Sequence, residues 1–196
     1  GVAMLFEKIT YQDDFPINIT IANIEDYPIH YHQDIEFVFV LKGQVTLKNG
    51  YCSYTLHERD IFTNSGHEVH SLTSEDPDNI VALIQISTHY FSQYFPSLSK
   101  ACYRTYTNKG RSSKHDNLQE KLLDILLQYS IRSSRYKTEC TYAMIEVIKY
   151  LERIFNLFAF NGEMVINFES SNPVTIERIS HIIGYIYQNY AEKITL

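Results

Sequence analysis

Residues 30–43 read HYHQDIEFVFVLKG, a polar start followed by an apolar run. Successive side chains of a strand point to opposite faces, so His30 and His32 project to the same face. Glu36 shares their parity across the turn-like pair Gln33-Asp34. Two imidazoles and a carboxylate on one face can hold a divalent ion and leave coordination positions open. The stretch therefore predicts a metal site in a β-rich domain.

A fourth ligand is expected from a neighbouring strand, and His70 is the best candidate. It follows Asp60 by ten residues and comes after a turn at Ser65-Gly66. Three histidines and one carboxylate suit Zn, Ni, Mn or Fe, and the ligand types alone do not distinguish these metals. The alternative is a polar pocket in which the same side chains bind an organic ligand.

The first 87 residues read as many short strands separated by turns. Asn49-Gly50 is the strongest hairpin signal, because both residues tolerate positive φ. Strands at this spacing are typical of a barrel or sandwich. The predicted elements are strands at Leu5–Thr10, Ile17–Ile24, Pro28–His32, Ile35–Leu41, Gln44–Lys48, Tyr51–His57, Ile61–Asn64, Val69–Thr73 and Ile80–Ser87, a short helix at Thr88–Phe95, and a strand at Ala101–Thr107.

Parity also predicts which side chains line the barrel interior. The even-numbered set that contains the histidines continues along the next strand. A small molecule bound inside the barrel would therefore contact His30, His32, Val38, Val40 and His70. The odd-numbered aromatic residues are expected to point outward unless a bulge changes the register. These are Tyr27, Tyr31, Phe37 and Phe39.

Beyond residue 112 the apolar period becomes helical. Two helices are predicted, at Asn117–Ile131 and Thr138–Phe160. Each carries apolar residues outside its main stripe, such as Leu123 and Leu127 on the first and Ile148 on the second. A helix with two apolar faces needs two partners. The second faces either pack against the barrel and each other or form a homodimer.

Charge and composition exclude several classes of partner. The chain of 196 residues has a net charge of -6, and residues 1–100 contain 5 Lys and Arg against 13 Asp and Glu, a net charge of -8. An acidic half of this kind argues against nucleic-acid binding by the barrel. No apolar run approaches the ~18 residues of a membrane span. The three cysteines lack metal-binding spacing and fit reduced thiols in the cytoplasm.

The histidine-rich stretch resembles the first motif of the cupin family. His30, His32, Glu36 and Gly43 complete the pattern H-x-H-x3-E-x6-G. The resemblance implies a cupin (jelly-roll) β-barrel. The expected fold class is therefore mainly β plus α, with this barrel followed by a helical hairpin and a C-terminal helix.

A second stretch is similar to a degraded form of the second cupin motif. Asp60, Gly66 and His70 occupy its positions. Arg59 stands where the family usually has Gly, and Gly66 stands where it usually has Pro. Together the two motifs imply His30, His32, Glu36 and His70 as the metal ligands.

The end of the chain resembles a narrower family. A third helix is predicted from Asn172-Pro173, with Asn as N-cap and Pro at its first position. Residues 176–196, IERISHIIGYIYQNYAEKITL, resemble the opening of the DNA-binding domain of the AraC/XylS family of bacterial transcription regulators. In that family the first helix is followed by a Thr/Ser-Leu pair that begins the first helix-turn-helix unit.

This second resemblance implies a domain plan and a function. The plan is an effector-binding barrel at residues 1–110, a helical dimerisation region at 111–171, and the first helix of a DNA-binding domain at 172–196. The implied protein is a cytoplasmic homodimer that senses a small metabolite, sugars among them. It is not an enzyme, has no membrane partner, and binds DNA only through a C-terminal domain beyond Leu196.

The alternative function is a metal-dependent cupin enzyme, an oxygenase or an isomerase, that uses the same four ligands. The helical segment after residue 112 favours the regulator, and no nucleophile–base pair or phosphate-binding loop indicates catalysis, so no catalytic residue is assigned. Residues 4–16 have turn character between Tyr11 and Pro16. They are a candidate lid over the barrel.

Overall fold

The computed structural model describes residues 5–106, 110–160 and 164–166. They form a barrel of two sheets, a short helix, a pair of long helices and a small third sheet. The helix predicted from Asn172 and the whole of segment 172–196 lie outside the described residues. Within the described ranges, no helix combines the length and the apolar character needed to cross a membrane. The domain boundaries after residues 110 and 171 stay predictions.

The strands of the barrel follow the predicted order closely. Their bounds are β1 Leu5–Phe6, β2 Ile17–Ala22, β3 Asp26–Tyr31, β4 Ile35–Lys42, β5 Gln44–Asn49, β6 Cys52–His57, β7 Ile61–Asn64, β8 His70–Thr73 and β9 Ile80–Ile86. One sheet has the order β1-β3-β8-β5-β6, and the other has the order β2-β9-β4-β7. The hairpin predicted at Asn49-Gly50 is confirmed, because Asn49 pairs with Cys52 and Gly50 has a φ of 57°.

Two hydrophobic clusters lie on opposite faces of the four-stranded sheet. Even-numbered residues of β4, such as Val38 and Val40, pack inside the barrel with residues of the other sheet, such as Leu47 and Leu72. Odd-numbered residues of β4, such as Phe37, pack on the outside with residues of the helices. Both faces of β4 are buried, which explains why its sequence is apolar at both parities.

The helices are α1 Thr88–Phe91, α2 Ser113–Ile131 and α3 Tyr136–Ile154. The main apolar stripes of α2 and α3 are buried against the sheet and against each other. The residues concerned are Leu118, Leu122, Ile125 and Leu126 on α2 and Cys140, Met144, Val147 and Leu151 on α3. Ile148, from the second apolar face of α3, is also fully buried within this cluster. By contrast, Leu123, Leu127 and Ile131 of α2 are exposed.

The predicted extension of the second helix to Phe160 is wrong. α3 ends at Ile154, and Asn156–Phe160 forms strand β11, which pairs antiparallel with β10 (Ala101–Tyr103) and with β12 (Met164–Ile166). The aromatic residues that extend the heptad pattern also favour strands. Tertiary pairing with β10 decides between the two structures. Three other predicted elements are too long, since the structure has only Leu5–Phe6, Thr88–Phe91 and Ala101–Tyr103 at those places.

Arg59 joins the barrel to the helices. Its φ of 75° is the left-handed conformation that favours glycine, and glycine is the residue usual here in the family that the sequence resembles. The arginine nevertheless has a structural role, because its guanidinium donates two hydrogen bonds, of 2.7 and 3.1 Å, to the Gln119 side chain of α2.

Candidate metal centre

Three histidines converge inside the barrel near its rim. His30 of β3 pairs directly with His70 of β8, and His32 follows the end of β3. One ring nitrogen from each of the three lies within 4.8 Å of the others, and all three residues are buried. We call these residues the histidine centre. The backbone of the turn after β7 fixes His32, since the His67 N–H donates a 2.7 Å hydrogen bond to the His32 carbonyl.

Each imidazole is oriented by a hydrogen bond of one kind, from its Nδ1 to a backbone carbonyl. The Nδ1 atoms of His30, His32 and His70 lie 2.8 Å from the carbonyl oxygens of Pro28, Asp34 and Glu68 respectively. A carbonyl oxygen only accepts hydrogen bonds, so Nδ1 carries the proton in each ring. In the neutral tautomer Nε2 therefore presents a lone pair. This outer-sphere arrangement is the one that orients metal-binding histidines.

The three Nε2 atoms fit a metal ion. Each is buried, and in the neutral tautomer none of the three accepts a hydrogen bond within the described part of the chain. Leaving a buried polar atom unsatisfied costs about 1–3 kcal/mol. Three such atoms close together therefore destabilise the site, and one divalent cation can bind the lone pairs of all three. The structure thus brings together the three histidines that the sequence predicts as ligands.

Glu36 lies beside two of the three rings. Its Oε1 is 3.2 Å from His70 Nε2, and its Oε2 is 3.7 Å from His32 Nε2. The carboxylate is wholly buried and also accepts hydrogen bonds from the side-chain amides of Asn64 (3.2 Å) and Gln85 (2.9 Å). A lone pair of Nε2 and a carboxylate oxygen repel each other at this distance unless a proton or a cation lies between them.

The electrostatics of the metal-free site follow from these contacts. Burial alone would raise the pKa of Glu36, but the adjoining imidazoles of His32 and His70 outweigh it and hold that pKa far below its usual range. Burial alone would lower the pKa of His70, but Glu36 outweighs it and raises that pKa. Burial and the neighbouring His70 lower the pKa of His30. The site therefore favours one positive charge next to Glu36, which either a proton or a metal can provide.

Two residues at the rim were not expected there from the sequence. Tyr27 was predicted to point outward, but its side chain packs against the inner cluster and its ring centroid is 4.6 Å from that of His30. A register shift between Tyr27 and His30 reverses the parity. Pro28, a residue that a regular strand interior disfavours, was the available signal of this bulge. The Tyr27 hydroxyl donates a 2.6 Å hydrogen bond to Glu7, which the sequence does not single out.

A cleft of about 270 Å³ opens beside the histidine centre. Its walls include Glu7, Asn18, Tyr27 and Gln85. Asn18 donates a 2.8 Å hydrogen bond to Gln85, which in turn donates to Glu36, so the cleft is connected to the centre by side-chain hydrogen bonds. Val38 and Val40, two of the predicted effector contacts, are fully buried in the inner cluster. Their role in effector binding stays a prediction.

Residues 19–86 match the family model described as the Cupin domain. The fold is a cupin jelly roll followed by helices. The histidine centre therefore belongs to a cupin barrel, and His30, His32, Glu36 and His70 all lie within the matched range.

A curated protein resembles the chain well beyond the cupin barrel. The chain is 26% identical over 183 residues to the uncharacterized HTH-type transcriptional regulator YdeC of Bacillus subtilis (strain 168). The match includes 89% of this chain and 60% of that protein. The chain therefore spans about three fifths of the length of this relative.

Two solved structures overlap part of the chain. KdgF from Halomonas sp. is 17% identical, with a TM-score of 0.35, over 41% of this chain and 77% of its own. A cupin-2 domain containing protein from Shewanella frigidimarina is 14% identical, with a TM-score of 0.33, over 39% of this chain and 74% of its own.

Proposed function

We propose that this chain is the sensing and dimerisation part of a bacterial transcription regulator of the AraC type. The observation that carries the proposal is the match to an HTH-type regulator, which includes the helices as well as the cupin barrel. A cupin metal centre also suits an oxygenase or isomerase. The regulator is favoured because the match continues beyond the barrel, over 89% of the chain.

The metal part of the proposal rests on the histidine centre. His30, His32 and His70 would bind a Zn, Ni, Mn or Fe ion through Nε2, with Glu36 beside His32 and His70 as the fourth ligand. Such an ion would supply a concentrated positive charge and an open coordination position for a polar ligand. The backbone carbonyls that hold the three Nδ1 protons keep the lone pairs aimed inward.

The effector is a small polar metabolite, sugars among them, that enters the cleft beside the centre. The cleft offers amides from Asn18 and Gln85, the phenol of Tyr27 and the carboxylate of Glu7, which suit hydroxyl-rich ligands. The hydrogen bonds from Asn18 to Gln85 and from Gln85 to Glu36 would carry a change in the cleft to the centre.

The dimer is proposed to form through α2. Leu127 is 56% exposed and Ile131 is 61% exposed, and with Leu123 they form one stripe at four-residue spacing. On α3, by contrast, Ile148 from the second apolar face is buried in the core of its own chain. DNA would be bound by a further domain, and the regulator would act in the cytoplasm.

A ligand screen on the metal-loaded chain tests this function. Thermal shifts would be measured against panels of pentoses, hexoses, sugar acids and amino acids. We expect a hit that stabilises the wild type, is weakened by Asn18→Leu, and changes transcription from a target promoter when the full regulator is present. Mass spectrometry of the hit after incubation separates the two functions, since conversion to a product would support the enzyme instead.

A further inference from the structure

We propose that Glu7, the residue directly after the first strand, is an additional ligand of the histidine centre, so that metal binding fixes the N-terminal segment (residues 5–16) at the barrel rim. The inference rests on the proposed metal site. It assigns a ligand outside the stretch that the cupin model matches, since that match begins at residue 19.

The Glu7 carboxylate lies beside His30. Its Oε2 lies 3.6 Å from His30 Nε2. Two ligands that are each about 2.1 Å from one ion lie about 3.0 to 3.6 Å apart when the angle between them is about 90° to 120°, the range found for four- and five-coordinate zinc. Glu7 Oε2 and His30 Nε2 therefore already have the separation expected of two ligands of one ion.

The Oε2 atom of Glu7 has no other partner among the described residues. Glu7 Oε2 is buried and unsatisfied, as are the three Nε2 atoms. The other oxygen, Oε1, accepts the 2.6 Å hydrogen bond from the Tyr27 hydroxyl. Tyr27 thus holds the carboxylate by one oxygen and leaves the second aimed at His30. In this arrangement Tyr27 is a positioning residue.

The first strand is otherwise held weakly. β1 has two residues, which pair parallel with β3 at His30 and Tyr31. Leu5 is 54% exposed and Phe6 is 50% exposed, so little apolar surface holds the strand in place. The Glu7 N–H adds one hydrogen bond, of 2.9 Å, to the Tyr31 carbonyl. A bond from Glu7 to a metal would consequently be a large part of what holds this strand.

Glu7 and Glu36 differ in a way that gives each a separate role. Glu36 is wholly buried and fixed by two side-chain amides, whereas the Glu7 side chain is 32% exposed and lines the cleft. An effector with a carboxylate or adjacent hydroxyl groups would compete with Glu7 for the same position. Metal binding would order the N-terminal segment, and such an effector would release it.

The far end of the same segment contacts the helices. Asp14 accepts a 2.8 Å hydrogen bond from Lys137 of α3, and the Phe15 ring lies 5.7 Å from that of Tyr136, centroid to centroid. The N-terminal segment therefore connects the histidine centre with the start of α3. Its release from the centre has a direct structural route to the helical pair.

Zinc affinity and amide hydrogen exchange of the 196-residue chain together test the proposal. Zn²⁺ would be titrated in competition with a chromophoric chelator for the wild type, Glu7→Gln, Tyr27→Phe and the control Glu58→Gln, which changes an exposed carboxylate. Removing the positioning group in Tyr27→Phe should lower the affinity about 10- to 100-fold, and removing the ligand itself in Glu7→Gln should lower it at least as much. Zn²⁺ should slow exchange of residues 5–16 in the wild type and the control but not in Glu7→Gln.

The outcomes separate this inference from the proposed function. If the wild type binds Zn²⁺ and Glu7→Gln binds it equally well, the Glu7 ligand is refuted and the histidine centre stands. If Glu7→Gln binds more weakly but Zn²⁺ still protects residues 5–16 fully, the coupling to the segment is refuted. If the wild type binds no Zn²⁺, Ni²⁺, Mn²⁺ or Fe²⁺, the histidine centre fails and takes the Glu7 proposal with it. Circular dichroism checks the fold of each variant, and Glu7→Ala gives a second removal of the ligand.

Discussion

His30 and His70 are paired residues of the antiparallel strands β3 and β8, and their ring centroids lie 4.2 Å apart at an angle of 61°. Two imidazoles so close in a buried site would repel each other if both were charged. Their Nδ1 atoms are both held by backbone carbonyls, so the two Nε2 lone pairs point into one space. The strand pairing itself thus builds half of a metal site.

The first prediction concerns metal content. Protein purified without chelators, or reconstituted with Zn, Ni, Mn or Fe, should carry about one divalent ion per chain. His32→Ala should lose most of it, because the centre then keeps only two imidazoles. His89→Ala removes an exposed histidine of α1 and should retain the ion. Elemental analysis decides the matter, and a metal-free wild type after reconstitution would contradict the prediction.

The second prediction concerns the pH dependence of the metal-free protein. The raised pKa of His70 stabilises the fold fully below about 6.5, and this contribution is lost as pH rises through the folded pKa. The lowered pKa of His30 has the opposite effect, since its contribution is present above 6.5 and is lost as pH falls. The lowered pKa of Glu36 adds a loss below about 4.5. Melting temperature should therefore be highest near pH 6.5.

His70→Gln is the test of that assignment. This variant should lose the decline in melting temperature on the alkaline side and keep the decline on the acid side. Zinc should reverse the alkaline trend in the wild type, because zinc binding requires unprotonated Nε2 and strengthens as pH rises. A wild-type melting temperature that is flat from pH 6 to 9 without metal would refute the role of His70.

The third prediction concerns the proposed dimer. Leu127→Glu places a carboxylate on the exposed stripe of α2 and should give a folded monomer. Leu151→Glu buries an unpaired carboxylate in the core, where Leu151 is 0% exposed, and should cost several kcal/mol and unfold the chain. Sedimentation at about tens of micromolar, together with circular dichroism, distinguishes the two. A wild type that is only monomeric at that concentration would overturn the dimer.

The fourth prediction concerns the glycine that closes the HxH motif. Gly43 has a φ of 74°, and a Cβ there would collide with the Asp76 carboxylate and lie 3.1 Å from Asn79 Cα. Gly43→Ala should therefore destabilise the fold by more than the ~1 kcal/mol expected from backbone strain alone. Gly50→Ala is the matched control, because Gly50 also has positive φ but no neighbour within 4 Å. Urea denaturation of the two variants should rank Gly43→Ala as the less stable.

The sequence predicted the parts of the fold that depend on local period and turn chemistry. The hairpin at Asn49-Gly50 and the inward parity of Val38 follow from rules that act within one strand pair. The inward position of Tyr27 could not be read in this way, because a single bulge reverses parity and its only sign was Pro28. Glu7 lies near His30 because β1 pairs parallel with β3, which is more than 20 residues away in the sequence. A local sequence pattern does not predict such a pairing.

The sequence also could not predict where the second long helix ends or what the second apolar faces contact. Periodicity identified the second apolar faces of α2 and α3 but not what these faces pack against. In the structure Ile148 is buried in the core of its own chain, whereas Leu127 is exposed. The heptad pattern continued past Ile154 because Phe158 fits both a helix and a strand. Pairing with a distant strand, β10, ended the helix.

The four-stranded sheet has core on both sides of β4 and β9, since Phe37 and Ile84 pack against the helices while Val38 and Val81 pack inside the barrel. The barrel and the helices therefore share a wall, and neither can melt without exposing the other's apolar surface to water. We expect one cooperative transition for both, with equal calorimetric and van't Hoff enthalpies. A fragment that stops after residue 110 would expose Phe37 and Ile84 and should aggregate, so the folding unit extends past the barrel.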